Sequence, residues 1–539
     1  MLKTACLVKS PWLRLLWILA AVLLLDPYRP LAGAHAEQLT EREKRGKQVY
    51  IQTNSPSGGE IKAFVGKSMM EAPGSSLPCI NCHGYDGVGL VESGVTATTI
   101  IWEELTKPYG LKHPTGREHT PYTEESLARA ISEGIDPAGN PLDVSMPRYQ
   151  MPAEDLADLI AYIKRIGNVL DPGLTETSIK VGTFLPLTGR LAGTGKAMDS
   201  VLRAFFSDLN RGGGVYNRKI ELEVLGLGES PTAVLDATRE LMSGREAFAL
   251  VSPFIAGADR EVAELAEERE VPVFGPFTLH PEEVALLNRF TFYLYPGLRE
   301  QARALVIHAE ERLKGTRAPF AIVTSRETES AVVESAEKQA RKLGWKSVAK
   351  FELSGDAAGV QRARDTMTGE NVGAVLVLGS WDAFKALLRE SEKPGWNPLF
   401  LLPGSAARSD IFELPEVFSG RVFLSYPTVP TDRTEAGTRE FNRFHATHQL
   451  PTEHVAAQIS AYCAAKVFVE GLKRTGRKLS REKLIAAMDR MTQFNTGLTP
   501  KITYDPNRRI GAYGAHVLGV DLRKKGFSPD GRWIELDIL

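Results

Sequence analysis

The sequence predicts a multidomain chain, with a small all-α domain ahead of a larger α/β domain. Three observations carry this. At 539 residues the chain is too long for one hydrophobic core, which stops growing near roughly 250–300 residues. Up to Gly167 the periodic segments are short amphipathic helices around a Cys-x-x-Cys-His motif. Beyond Asp171-Pro172-Gly173, strand and helix patterns alternate, as in an α/β fold. With 43% apolar and 24% charged residues the composition is that of a folded globular protein. The formal charge of −1 argues against a nucleic-acid partner.

Residues 1–36 read as a secretory signal peptide. Lys3, Lys9 and Arg14 precede the apolar run Leu15–Leu25, and Ala34-His35-Ala36 is a small-x-small cleavage site before Glu37. The run is short for a full membrane span, which favours cleavage over an uncleaved anchor. Four basic residues and Asp26 leave with the peptide, so the mature charge is −4. The expected compartment is the periplasm. Cys6 leaves too, which excludes a disulfide scaffold, since Cys463 then stands alone beside the motif cysteines in an apolar helical segment, Ala461–Phe468. No other stretch is expected to span a membrane.

Residues 37–170 form the first domain. A helix starts near Thr40 and carries Arg42, Arg45 and Tyr50. A glycine-rich segment leads to Cys79-Ile80-Asn81-Cys82-His83, the spacing of a c-type haem attachment site. Two thiols separated by two residues on a helical turn add to the two vinyl groups of one haem, and the adjoining His83 becomes the proximal iron ligand. A zinc half-site would need a second Cys or His pair, and a redox Cys-x-x-Cys would follow a strand in a βαβ unit. Gly84–Gly89 makes a tight turn, and Ser126–Glu133 is helical up to Gly134. Leu156, Leu159, Ile160 and Ile163 line one face of a closing helix that begins with Glu154 and Asp155 and ends with Lys164 and Arg165.

Ahead of that helix runs Ser145-Met146-Pro147-Arg148-Tyr149-Gln150-Met151-Pro152. A loop thioether is a common sixth haem ligand. Met146 is the expected ligand, with Met151 at the helix start as the competitor and a bis-His haem through His113 or His119 as a further alternative. The Cys79–His83 motif, the Met146 loop and the Leu156–Ile163 helix resemble the class I cytochrome c family. That resemblance implies one covalently attached haem c that carries single electrons.

Asp171–Thr177 reads as a linker. Residues 178–539 then alternate. Ile179–Phe184 is a strand running into Pro186-Leu187-Thr188-Gly189, Lys196–Asn210 a helix, and Ile220–Leu225 and Ala247–Val251 are strands. Asp259–Arg269 is a helix and Val271–Phe274 a strand, and βα units recur at Phe320–Thr324, Ala374–Leu378 and Leu399–Leu402. Gly212-Gly213-Gly214 follows a helix, so it is no dinucleotide fingerprint, and Gly-x-Ser-x-Gly and His-Glu-x-x-His are absent. No catalytic residues are assigned, and an enzyme is not expected.

The Ile179–Gly189 segment, the run Gly213–Ile220, and Val251–Gly257 with Val271–Pro281 together resemble the type I periplasmic solute-binding proteins, which include the branched-chain amino-acid receptors. The resemblance implies two Rossmann-like lobes closing on a ligand, with crossovers near Tyr295-Pro296, Tyr426-Pro427 and Tyr504-Asp505. Against that family's amino-acid site, a Ser falls on Ala256, a Thr on Leu279 or its neighbour Thr278, and the ammonium-binding acid on Ser405. The loops offer Phe254, Phe277, Tyr295 and Trp381, with Arg190, Thr194, Thr278, Arg326 and Ser405 as polar candidates. The expected ligand is a small apolar or aromatic solute with one anionic or hydroxyl group, not an amino acid. Together these readings imply a periplasmic c-type cytochrome fused to a ligand-binding module, with a redox partner such as a dehydrogenase or oxidase. The alternative is an ABC-transporter receptor, working with a permease, whose haem domain is a sensor or docking element. Haem catalysis at an open sixth position is a third reading.

Overall fold

A computed structural model describes residues 39–92, 95–113, 116–167, 170–228, 231–255, 257–282, 288–314, 318–353, 356–391, 396–528 and 531–537. The signal peptide and Ala256 lie outside the described residues. The chain divides into two compact units, Met1–Leu170 and Asp171–Leu539.

The first unit is framed by two helices, α1 (Glu41–Gln52) and a closing helix at Ala153–Ile163. Thr40 starts α1 with a capping box: its hydroxyl accepts from Glu43 N while the Glu43 carboxylate accepts from Thr40 N. The two helices cross at Gly46, where a Cβ would lie 1.9 Å from the carbonyl oxygen of Asp158. Only glycine permits that approach. Arg42 and Arg45 reach Asp158 at 3.3 and 2.6 Å, and its side chain is only 3% exposed. Beneath the crossing, Val49, Tyr50, Leu159, Ile160 and Ile163 join Leu127 and Ile131 in one core.

The all-α expectation needs correcting. Strands β1 (Lys62–Val65) and β2 (Met70–Pro73) form an antiparallel hairpin, and β3 (Arg148–Gln150) adds to β1, giving the order β2-β1-β3. Two-residue ribbons also pair at 91–92 with 95–96 and at 111–112 with 118–119. Strands this short carry too few residues to display an alternating pattern, so they read as loop in the sequence. Helix α2 (Cys79–His83) holds the motif, α3 spans Glu124–Ser132, and the closing helix is α4.

The second unit has two sheets. The first contains β4 (Ser178–Leu185), β5 (Lys219–Gly226), β6 (Ala249–Val251), β7 (Val273–Phe274) and β8 (Thr291–Phe292), all parallel, in the order β8-β7-β6-β4-β5. The second contains β9 (Phe320–Thr324), β10 (Val348–Glu352), β11 (Ala374–Val377), β12 (Leu399–Pro403), β13 (Val422–Tyr426), β14 (Gly514–Asp521), β15 (Gly526–Phe527) and β16 (Arg532–Glu535). Its order is β10-β9-β11-β12-β13-β14-β15, parallel as far as β13, and β16 also pairs with β14. The chain therefore leaves the first sheet between Phe292 and Leu298, and it returns after Tyr426 to a helix, Val455–Thr475, that packs against β6 and β7. It crosses again before Gly514. That helix is long and apolar enough to span a membrane, against expectation, but 78% of its apolar window is buried, with Cys463 fully enclosed.

The Asp171–Thr177 stretch is not a free linker. Leu174 is buried, and the Asp171 carboxylate accepts from Arg481 N at 2.6 Å. The Arg481 guanidinium donates to the carbonyls of Pro172, Ala247 and Phe248. Arg218 Nε donates to Thr175 O at 2.8 Å. These seven residues belong to the second unit.

Candidate functional site

In the first unit, α2 is fixed by two tyrosines. Tyr50 of α1 donates to Gly84 O, just after the helix, and Tyr149 of β3 donates to Leu77 O, just before it, both at 2.6 Å. Leu90 N donates to Cys82 O and Gly89 N to His83 O, so the following loop folds back on the motif. His83 Nδ1 lies 3.0 Å from Thr98 O. A carbonyl only accepts, so Nδ1 carries the proton and Nε2 keeps its lone pair. Burial pushes the pKa of His83 down, which also favours the neutral imidazole. Burial pushes the Cys79 thiol up to about 12. A redox Cys-x-x-Cys needs a thiol shifted the other way. No group of three or more metal-ligating side chains occurs among the described residues, so the zinc reading gains nothing.

These residues fit a haem c. Six of the eleven large apolar side chains left exposed among the described residues lie in this smaller unit. Three of them, Val88, Leu90 and Val144, lie in the loop after the motif or in the Met146 loop. Met146 is half-buried in its loop, whereas Met151 packs against the unit's core. His113 and His119 are both buried, with ring centroids 5.2 Å apart. His113 Nε2 meets Arg117 Nη2 at 2.8 Å, and burial followed by the Arg117 charge pushes His113 down to about 4. Arg117 is in turn paired with the buried Asp136 at 2.7 Å. The two histidines are thus built into a polar cluster of the fold.

In the second unit the candidate loops follow the carboxyl ends of parallel strands. Strand order reverses between β4 and β6 in the first sheet and between β9 and β11 in the second, and such switch points are where open α/β sheets bind ligands. Arg190 and Thr194 follow β4, and Phe254 follows β6. Arg326 follows β9 and Ser405 follows β12; both are exposed, as is Arg190. Phe254 and Phe277 bridge in parallel and stack, with centroids 5.6 Å apart and planes 25° from parallel, both half-buried. Tyr295 is half-buried at the first crossover, and burial holds its phenol well above its usual range. Trp381 departs from expectation. It is 3% exposed and belongs to the core of the second lobe, against Phe384. A groove of about 490 Å³ lined by Arg203, Phe206, Arg211 and Lys219 lies at the amino end of β5, away from these loops.

Residues 178–521 match the sequence profile of the family described as Periplasmic binding protein. The chain belongs to the periplasmic binding protein family. Solved structures agree on the fold of this binding protein. A branched-chain amino-acid ABC transporter protein from Thermus thermophilus, solved with bound valine, is 17% identical, with a TM-score of 0.53 over 67% of this chain and 98% of that one. A similar protein from Rhodospirillum rubrum is 16% identical, with a TM-score of 0.52 over 66% and 100%. The leucine-binding protein LivK of Thermotoga maritima is 18% identical, with a TM-score of 0.50 over 66% and 99%. No curated protein matches. The family is one of periplasmic ligand receptors, not enzymes, in line with the sequence.

The two lobes of the binding protein touch through residues the sequence did not single out. His280 Nδ1, from the loop after β7, lies 2.8 Å from Glu329 Oε2, whose residue stands just before α5 (Ser330–Lys342) of the second lobe. Beneath this loop, at the start of helix Asp259–Arg269, sits Asp259, 5% exposed. Neither of its oxygens makes a geometrically sound hydrogen bond. Burial raises its carboxyl to about 7; Thr278 eases the charge and Glu329 adds to the strain. Thr194 Oγ1 meets His454 Nδ1 at 3.2 Å. An acid in the first turn of a helix is common on a surface, and no pattern in the sequence distinguishes a buried one.

Proposed function

We propose that this binding protein is a periplasmic solute receptor that also carries one covalent haem c and passes single electrons to a periplasmic partner, such as a dehydrogenase or oxidase. The observation that carries the haem half is the setting of His83, with Nδ1 committed to Thr98 O and Nε2 left for iron. A bound haem would supply one-electron redox chemistry. Cys79 and Cys82 would hold it through thioethers, His83 would be the proximal ligand, and Met146 the thioether on the other side. Replacing both cysteines with alanine should leave a protein from which acid-acetone extracts any haem. Haem that stays bound to that variant would sink the attachment.

Family membership favours a second reading, a receptor delivering solute to an ABC permease with the haem unit as sensor or docking element. Permease transport that depends on this protein, with no electron exchange, would select it. In either case the ligand reading is an apolar or aromatic solute with one anionic or hydroxyl group. The Phe254–Phe277 stack offers it a face, and Thr278, Thr194 and Arg190 offer polar contacts. A zwitterion's ammonium would lack a carboxylate at Ser405, and Asp259 is enclosed beneath the Thr278 loop. Losing such a partner costs roughly 3–5 kcal/mol, about two to four decades of affinity. Mass spectrometry of the solute retained from the native periplasm identifies the ligand. Titration calorimetry with leucine, isoleucine and valine tests the class, and micromolar binding of any of them would refute it.

A further inference from the structure

The loop that carries Met146 is anchored at its ends, by Leu142 against the core and by the buried Pro147, but not at its tip. Asp143 and Val144 are exposed, and regular structure resumes only at Arg148 in β3. Hydrogen bonds give the loop its shape. Asp143 Oδ1 accepts from Ser145 N at 2.9 Å, and Asp143 O accepts from Met146 N at 3.2 Å, which makes 143–146 a tight turn. Val144 O accepts from Gly66 N at 3.1 Å, tying the loop to the β1–β2 hairpin.

Three carbonyls of the loop converge on one side chain. Arg148 Nη2 donates to Leu142 O at 3.0 Å, and Nη1 donates to Asp143 O at 3.3 Å and to Met146 O. The guanidinium crosses Gly134, at the end of α3, where a Cβ would lie 1.6 Å from Arg148 Nε. Gly134 has a φ of +72° and its carbonyl accepts from Leu142 N at 2.8 Å. Arg148 is itself held in β3 opposite Phe64 of β1. A planar fork can serve three carbonyls from one position, which a lysine ammonium on a flexible stem does not reproduce.

We propose that Arg148 is a positioning residue for Met146, holding the 142–146 loop so that the thioether outcompetes other bases for the haem. The proposal rests on the haem reading above, with Met146 as sixth ligand. An incoming base must displace both the thioether and the loop that presents it. Without the clamp, displacement frees a loop that is already loose, and the competitor binds more easily.

The test is imidazole titration of the ferric full-length mature protein, read by loss of the weak sulfur-to-iron charge-transfer band. Arg148→Gln should keep the band and the covalent haem but bind imidazole about tenfold more tightly, equivalent to ~1.4 kcal/mol. Arg148→Lys should fall between that variant and wild type. If Arg148→Gln does not fold by circular dichroism, Arg148→Lys decides by the same titration, with a shift of about threefold or more expected. Imidazole affinity within twofold of wild type in the folded variant that decides overturns the proposal. Met146→Ala separates this failure from failure of the parent reading. If that variant keeps the band, Met146 is not the ligand and the proposal falls with the reading. If it loses the band while the Arg148 variants are unchanged, the positioning role alone is wrong.

Discussion

Replacing Asp259 with asparagine removes a charge that the fold accommodates badly while keeping the side chain's shape. Burial lifts this carboxyl from 3.8 to about 7. Three units at ~1.4 kcal/mol each give about 4 kcal/mol of differential cost, and relaxation around the site brings the expected effect to about 2–4 kcal/mol. Below pH 4 the carboxyl is neutral in both folded and unfolded chains, so its stability contribution is fully present. Between pH 4 and 7 the unfolded chain ionises while the folded one keeps its proton, so stability falls as pH rises. Above pH 7 the loss is complete and constant. Asp259→Asn should therefore gain nothing near pH 4 and its full 2–4 kcal/mol at pH 8. Urea unfolding of the mature protein at pH 4.5, 6 and 8, followed by far-UV circular dichroism, gives the difference at each pH. A gain that is absent at pH 8, or equal at all three, would refute the reasoning.

Met146→Ala should abolish the ferric charge-transfer band and lower the reduction potential, whereas Met151→Ala should keep the band and lose some stability through the core it packs against; the reverse pattern would assign the other methionine. A fragment beginning at Asp171 should fold and unfold cooperatively, and one beginning at Ser178 should be less stable by about 3–7 kcal/mol, from the buried Leu174 and the Asp171 contact at the Arg481 helix start. Against about 5–15 kcal/mol for a typical domain, that loss should lower the urea midpoint of the shorter fragment markedly, and equal urea midpoints would show that residues 171–177 are a linker after all.

Long periodic elements were legible in the sequence. The strand–helix alternation from Ile179 onwards announces an α/β unit because each apolar run is bounded by turn residues, whereas the two lobes and the crossovers near Tyr295, Tyr426 and Tyr504 come from the family resemblance; the antiparallel strands that close the second sheet have no such signal. The Cys79–His83 spacing is likewise local and needs no tertiary information. What escaped is of a different kind. Lys62–Val65 pairs with Met70–Pro73 on one side and with Arg148–Gln150 on the other, a partnership that depends on residues more than eighty positions away. Trp381 looked like a cleft aromatic because it follows β11, but a helix start after a strand can turn its side chain inward, and here it does. Asp259, His280 and Glu329 come together only when two lobes meet, so nothing near each of them in the chain announces the contact.

On the proposed reading the two units hold their guests by opposite means, and the difference follows from what each must do. A haem carrier loses its function whenever the cofactor departs, and in a compartment outside the cytoplasm a lost haem is diluted away. Two thioethers would make retention independent of affinity, so the first unit, beside its core around Val49, Tyr50 and Leu159, can leave Val88, Leu90 and Val144 exposed. A receptor must release its solute at every cycle, so its grip has to be reversible and its empty form stable. In the second unit, accordingly, apolar side chains close both faces of the second lobe's sheet, and the candidate contacts Phe254, Phe277, Thr278 and Tyr295 are only half-buried at the strand ends. A cofactor that is kept can be part of the core. A ligand that is let go can only rest on its edge.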